Sequence, residues 1–342
     1  MGTMFIKKST GAIAAFASLS LVLSACSSAT EEASPSQSAS ATGATGEVVI
    51  VHAAFYPLEF LAKTIGGDQI QVVSLTAPGA EPHDMELTPV QVAELEKTSL
   101  ALFIDGFMPA VDEAIESSVP DRALDLGTTV TLLEGGAHSD EEGHSDEEGH
   151  SDEEGHSDEE AATEDDHGHG AYDPHIWLDP ANMVLMANAV SERLIAIDPD
   201  RSDFYTANTA TLVAELEALD QEFTTGLANC EQKEIVTSHE AFGYLANAYG
   251  FEQHGIAGLS PESEPSPARL AEISEMVKAE GITTIYYETL VSPAIAETVA
   301  NETGATTAVL DPIEGLVEGS TDTFITVMQA NLQALIKGQT CS

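Results

Sequence analysis

Short apolar, β-branched runs alternate with amphipathic stretches along most of this 342-residue chain. Val48 to Val51 reads as a strand, and Leu58 to Ile65 as a helix stopped by the Gly66-Gly67 pair. Gln71 to Leu75 and Leu100 to Ile104 are the next strands. Between them Thr88 has the form of an N-cap with Pro89 at the first helical position, opening a helix that runs through Leu95. Met108 to Ser117 is predicted helical and Leu124 to Leu132 extended. Strand and helix alternating over about 90 residues imply a parallel α/β layer.

The period lengthens after Asp179-Pro180, where Met183, Ala187, Val190, Leu194 and Ile197 fall on one helical face. Asp198-Pro199 opens a second helix with Phe204, Leu212, Leu216, Leu219, Phe223 and Leu227 as its apolar face. At roughly 25 residues and 1.5 Å per residue it would be about 38 Å long, enough to brace two lobes. An ordinary long surface helix is the plainer alternative on periodicity alone. A second α/β alternation follows. Its predicted strands are Glu234 to Thr237, Gly255 to Gly258, Thr283 to Tyr287 and Thr306 to Leu310. Its predicted helices are Glu240 to Tyr249, ended by Gly250, then Arg269 to Glu280, Pro293 to Thr303 and Asp322 to Ile336.

Three stretches stand outside this pattern. Residues 1–25 read as an export signal, with Lys7 and Lys8 ahead of an apolar run, Gly11 to Leu23, that is too short to span a bilayer. Leu23-Ser24-Ala25-Cys26 resembles a bacterial lipobox, in which Cys26 is diacylated and anchors the chain to the outer face of the cytoplasmic membrane; an ordinary signal peptide with an incidental cysteine is the alternative. Residues 26–46, rich in Ser, Ala, Thr and Gly, read as a flexible tether. Residues 137–170 repeat H-S-D-E-E-G at a period of six, placing His138, His144, His150 and His156 among carboxylates before His167 and His169. This segment lacks apolar periodicity and is expected to be a disordered surface insertion.

A hydrophobic content of 43% is enough for a real core. The net charge of −47 repels nucleic acid and anionic lipid and draws cations. Of that charge, Glu134 to Asp166 contributes 16 acidic residues and no basic one. Cys230 and Cys341 form an even pair in a chain expected to be exported, which suggests a disulfide; two unpaired buried residues are the alternative.

Imidazole is the commonest protein ligand of transition metals, which draws attention to His83, His175 and His239, and to Asp311. All four stand at strand ends or in connecting loops, where ligands bind in open α/β sheets. Singly each is ordinary: a loop histidine, a packed loop histidine, a helix cap and a turn. As a set, P-G-A-E-P-H-D-M-E, D-P-H-I-W-L-D-P, V-T-S-H-E-A-F-G-Y and V-L-D-P, in this order with a long helix between the second and third, resemble the metal-receptor solute-binding proteins of ABC transporters, the ZnuA/TroA-like family. The resemblance runs from about Glu47 to Gly338.

The resemblance implies two α/β lobes, residues 47–199 and 229–342, joined by one rigid helix, residues 200–228, with a metal ion in the cleft. It places His83 and His175 as ligands from the first lobe, His239 and Asp311 from the second, and Glu288 beside them. Glu81 stands in reserve should Asp311 not reach, while Trp177 and Phe242 would wall the site and His52 and His254 would be structural. Three imidazoles and a carboxylate suit a four-coordinate Zn²⁺ carried as the transported substrate. Manganese prefers more oxygen ligands. The implied partner is the permease of a zinc importer, served by a monomeric receptor. A receptor for manganese or another divalent metal, with an adhesin role, is the alternative within the family. A secreted zinc hydrolase is the alternative outside it, although the sequence has no H-E-x-x-H pair. The six repeat-region histidines are expected to bind further divalent ions weakly, because nothing holds them in place beforehand; a solvated acidic run kept for solubility is the alternative.

Overall fold

A computed structural model describes residues 48–135 and 172–342. Cys26, the tether and the insertion with His138, His144, His150, His156, His167 and His169 lie outside the described residues. Among those described, no helix is long and apolar enough to cross a membrane.

The first lobe is built on strands β1 (Val49–Ala53), β2 (Ile70–Ser74), β3 (Leu100–Phe103) and β4 (Ala123–Asp125), with helices α1 (Tyr56–Gly66), α2 (Pro89–Leu95) and α3 (Pro109–Ser118) between them. All strands are parallel in the order β2-β1-β3-β4. The chain runs from β1 out to β2 and then crosses back past β1 to β3, so the winding direction reverses at β1, where ligands bind beyond the carboxyl ends of such strands. Thr88 caps α2 as expected: its side chain accepts from Gln91 N, and the Gln91 side chain reaches back to the Thr88 backbone. The extended run expected through Leu132 ends early. Asp125 Oδ1 accepts from Gly127 N and turns the chain into a short 3-10 helix, Leu126–Thr129.

Helices α4 (Pro180–Ile197) and α5 (Ser202–Gly226) follow and pack against each other. α5 has 25 residues and buries Tyr205, Thr209, Leu212, Leu216, Leu219 and Phe223, a row spaced by four and three. The sequence reading began this face at Phe204. That side chain is instead 36% exposed, and Tyr205 turns inward to donate its hydroxyl to Asp198 Oδ2.

The second lobe repeats the first topology with β5 (Glu234–Thr237), α6 (Gly243–Tyr249), β6 (Glu252–Gly255), α7 (Pro267–Ala279), β7 (Thr284–Tyr287), α8 (Ala294–Thr303) and β8 (Thr306–Val309). Its order is β6-β5-β7-β8, again parallel. β6 uses the polar run E-Q-H-G rather than the apolar run just after it, since an edge strand needs only one covered face. The closing helix α9 (Phe324–Gly338) packs on α5, and its Phe324 ring stacks on Phe60 of α1 with centroids 5.4 Å apart. α5 therefore touches α1, α4 and α9. Cys230 and Cys341 are disulfide-bonded, joining the segment before β5 to the chain end after α9.

Two cores result. One is continuous from the first lobe through α4 and α5 to Ile235 and Tyr286 in the second sheet. The other, with Val236, Ile273, Val277, Ile285 and Val299, lies on the opposite sheet face under α7 and α8. The period-2 alternation of side chains along β5 and β7 divides them.

Candidate metal centre

The carboxyl-end loops of the two sheets bring His83, His175, His239 and Glu314 together, with one donor atom from each within 4.8 Å of the others. A single oxygen, Glu314 Oε1, lies 3.3 Å from His83 Nε2, 3.5 Å from His175 Nε2 and 3.2 Å from His239 Nε2. All four side chains are buried. The Nε2 atoms of His175 and His239 have no hydrogen-bond partner among the described residues, although each faces that oxygen. Buried polar atoms are normally satisfied, so three imidazole edges turned to one point fit a bound cation.

The opposite ring edges are held by acids. Asp173 Oδ1 lies 2.7 Å from His175 Nδ1 and also accepts from His175 N. Glu288 Oε1 lies 2.7 Å from His239 Nδ1 and accepts from Ser238 Oγ. A carboxylate on Nδ1 fixes the tautomer that leaves Nε2 free to ligate and raises its basicity. Aromatic rings wall the group: Phe107 sits 4.5 Å from His83 and Trp177 5.3 Å from His175, centroid to centroid. Phe242 is buried at the start of α6.

The electrostatics follow from this packing. Burial holds His83 below the ordinary imidazole range, against the pull of Glu314. Burial also works to lower His175, but Asp173 and Glu314 hold it above that range. For His239 burial is outweighed by Glu288 and Glu314, which push it up to about 10. Burial would raise Glu314, yet the three histidines keep it well below the usual carboxylate range. Glu81 accepts from His83 N and is pushed up to about 7 by burial.

Asp311, expected from sequence as the fourth ligand, is not among the four side chains that converge. Its two carboxylate oxygens are engaged in the loop: Oδ1 accepts from Ile313 N at 2.7 Å and Oδ2 from Thr289 Oγ1 at 2.6 Å. Asn331 of α9 grips its backbone on both sides, accepting from Asp311 N and donating to Asp311 O. This clamp ends in a left-handed residue, Ile313, at φ 59°. Such a conformation is rare for a β-branched side chain. It reverses the chain so that Glu314, three residues past Asp311, enters the site. Trp177 Nε1 donates to Pro312 O at 2.7 Å and ties the same loop to the first lobe.

Glu314, Asp173 and Phe107 are the members that sequence reasoning missed. Asp173 had a signal, its place two residues before His175 in D-P-H. Glu314 had none beyond an acid between apolar neighbours.

Residues 51–338 match the family described as "Zinc-uptake complex component A periplasmic". The chain belongs to that family. Among curated members of this zinc-uptake family, the chain is 35% identical over 303 residues to the zinc-binding lipoprotein AdcA of Streptococcus pneumoniae serotype 4, an alignment covering 85% of this chain and 56% of that one. The chain thus spans about half the length of the AdcA proteins. It is 33% identical over 320 residues to the high-affinity zinc uptake system protein ZnuA of Bacillus subtilis, covering 92% and 95% of the two chains. The crystal structure of the Zn(II)-bound ZnuA-like domain of S. pneumoniae AdcA superimposes with a TM-score of 0.68 at 30% identity, covering 86% and 99%. The laminin-binding protein Lmb of Streptococcus agalactiae, described as having adhesin and metal-transporting activity, superimposes with a TM-score of 0.70 at 28% identity, covering 85% and 99%.

Proposed function

We propose that this chain is the extracytoplasmic receptor of a zinc importer, a monomer anchored through Cys26 that captures Zn²⁺ in the cleft and delivers it to an ABC-type permease. The observation that carries this reading is the convergence of three histidine Nε2 atoms within 3.5 Å of one Glu314 oxygen. His83 and His175 would supply two donors from the first lobe, His239 and Glu314 two from the second. Relatives named for zinc binding over the same span support the choice of metal.

The donor chemistry points the same way. Three imidazoles and one carboxylate complete a tetrahedral zinc shell from protein alone, whereas catalytic zinc keeps a position for water. Manganese favours more oxygen than this set offers. Carrying the ion between lobes also suits release, because separating them removes half the ligands at once. The histidine repeat would add weak sites beside the tight one.

The test is a zinc titration of the purified exported chain beside its His175→Ala variant, in competition with Mn²⁺. One tight zinc site that manganese fails to occupy equally, and that His175→Ala abolishes, is the expected result. Equal preference for the two metals, or an unchanged tight site in the variant, would overturn the reading.

A further inference from the structure

His254 stands alone in the sequence, yet the second sheet gives it two acidic neighbours. β5 and β6 pair with Glu234 opposite Glu252 and Val236 opposite His254. Residues directly opposed across two strands share a sheet face, as do residues two apart on one strand, so Glu234, Glu252 and His254 project from one side. Val236 and Ile256 continue that row into the core under α7. The acidic pair therefore marks the amino end of these strands, while the cleft lies beyond their carboxyl end.

His254 Nε2 lies 2.5 Å from Glu234 Oε2 and 4.0 Å from Glu252 Oε1. One donor atom from each of the three residues lies within 4.8 Å of the other two. The His254 and Glu234 side chains are only 24% and 25% exposed, which limits their freedom, whereas Glu252 is a 72% exposed arm. Among the described residues no lysine or arginine forms an ion pair with either glutamate; His254 is the only pairing partner of both. A protonated imidazole neutralises one carboxylate and leaves the second beside it uncompensated. A divalent cation neutralises both.

We propose that Glu234, Glu252 and His254 form a second, peripheral site for a first-row divalent cation, with Zn²⁺ as the ion available to a zinc-binding chain. One imidazole with two carboxylates is a mixed nitrogen and oxygen set, which imidazole biases toward zinc and its neighbours and away from Mg²⁺ and Ca²⁺. Two donors are placed by the strand ladder, and Glu252 swings in to complete the set. With three protein ligands, water fills the remaining position, so this site is weaker than the cleft.

The experiment uses the full exported chain with histidine side chains isotopically labelled. One equivalent of Zn²⁺ fills the cleft, and further Zn²⁺ is added while the His254 ring signal, assigned with His254→Gln, is followed by NMR. Bound zinc is counted in parallel by equilibrium dialysis. The His254 signal is expected to shift with added zinc and to be indifferent to Mg²⁺. His254→Gln and Glu252→Gln are each expected to bind one zinc ion fewer than the parent, with the repeat region contributing equally to all three. The Glu252 change is on an exposed arm, so loss of folding does not mask the result. An unmoved His254 signal and an unchanged zinc count in both variants would overturn the proposal and leave an ordinary ion pair. Repeating the titration in His175→Ala separates this site from the cleft, because the His254 response should persist when the tight site is lost.

Discussion

At the scale of single residues, Glu314 and Asp311 are three positions apart and differ entirely in what they touch. Glu314 meets three imidazoles, whereas Asp311 spends both oxygens on Ile313 N and Thr289 Oγ1. Glu314→Gln is therefore expected to weaken zinc binding by more than the roughly 10–100-fold that loss of an outer partner costs. Asp311→Asn keeps an oxygen for the Ile313 amide and should stay within about tenfold, or ~1.4 kcal/mol, of the parent. Competitive zinc titration of the two variants checks this, and the reverse order would return Asp311 to the ligand set.

The histidines also predict a pH effect whose sign follows from their shifts. Because Glu288 and Glu314 outweigh burial and push His239 up to about 10, the metal-free site holds a proton there at neutral pH. Only neutral imidazole ligates, so zinc must expel it. Affinity should fall as pH falls, and at pH 7 binding should release at least about one proton per zinc. Calorimetry in two buffers of different ionisation enthalpy reads this directly. Identical apparent enthalpies would refute it.

At the scale of elements, the amino end of α6 is a support for the first lobe's ligand. Tyr244 Oη donates to Asp173 O and accepts from Leu133 N, both at 2.9 Å, so α6 holds the segment that enters the site. Gly243 leaves room for this contact, since a Cβ there would come within 2.4 Å of Asp173 Oδ2. Gly243→Ala is expected to push the Asp173 carboxylate off His175 Nδ1 and lower zinc affinity by about 10-fold or more, with the helix itself retained. Zinc titration with a far-UV circular dichroism control distinguishes displacement from unfolding.

At the scale of the whole molecule, the disulfide closes a sequence separation of 111 residues at the end of β5 remote from His239. Cross-linking a loop of that size stabilises a fold by about 2–5 kcal/mol. Cys230→Ser with Cys341→Ser should lower the urea midpoint accordingly and leave zinc affinity within about twofold, about 0.4 kcal/mol. A midpoint that does not move would show that the helices α5 and α9 hold the tail without it.

The alternation of strands and helices was legible in the sequence because hydrophobic period is a local property, and every β-α unit here buries its own stripe. The inward face of α5 from Leu212 to Phe223 and the capped start of α2 were legible for the same reason. His83, His175 and His239 could be singled out because four motifs in one order resemble a known family, although each histidine alone is ordinary, and the structure brings the three together. Glu314 was not legible. Its entry to the site depends on a left-handed Ile313, on Asn331 from a distant helix and on Trp177 from the other lobe, none of which leaves a periodic trace. The neighbours of His254 were hidden likewise, because the register between β5 and β6 sets them, and register is a relation between strands rather than a feature of either. Sequence alone determined the order of strands and helices, since burial within a few residues sets it, but not the bounds of β4 and β6. Which side chains meet in the cleft was decided by contacts between residues as far as 231 positions apart, and only the tertiary structure contains those.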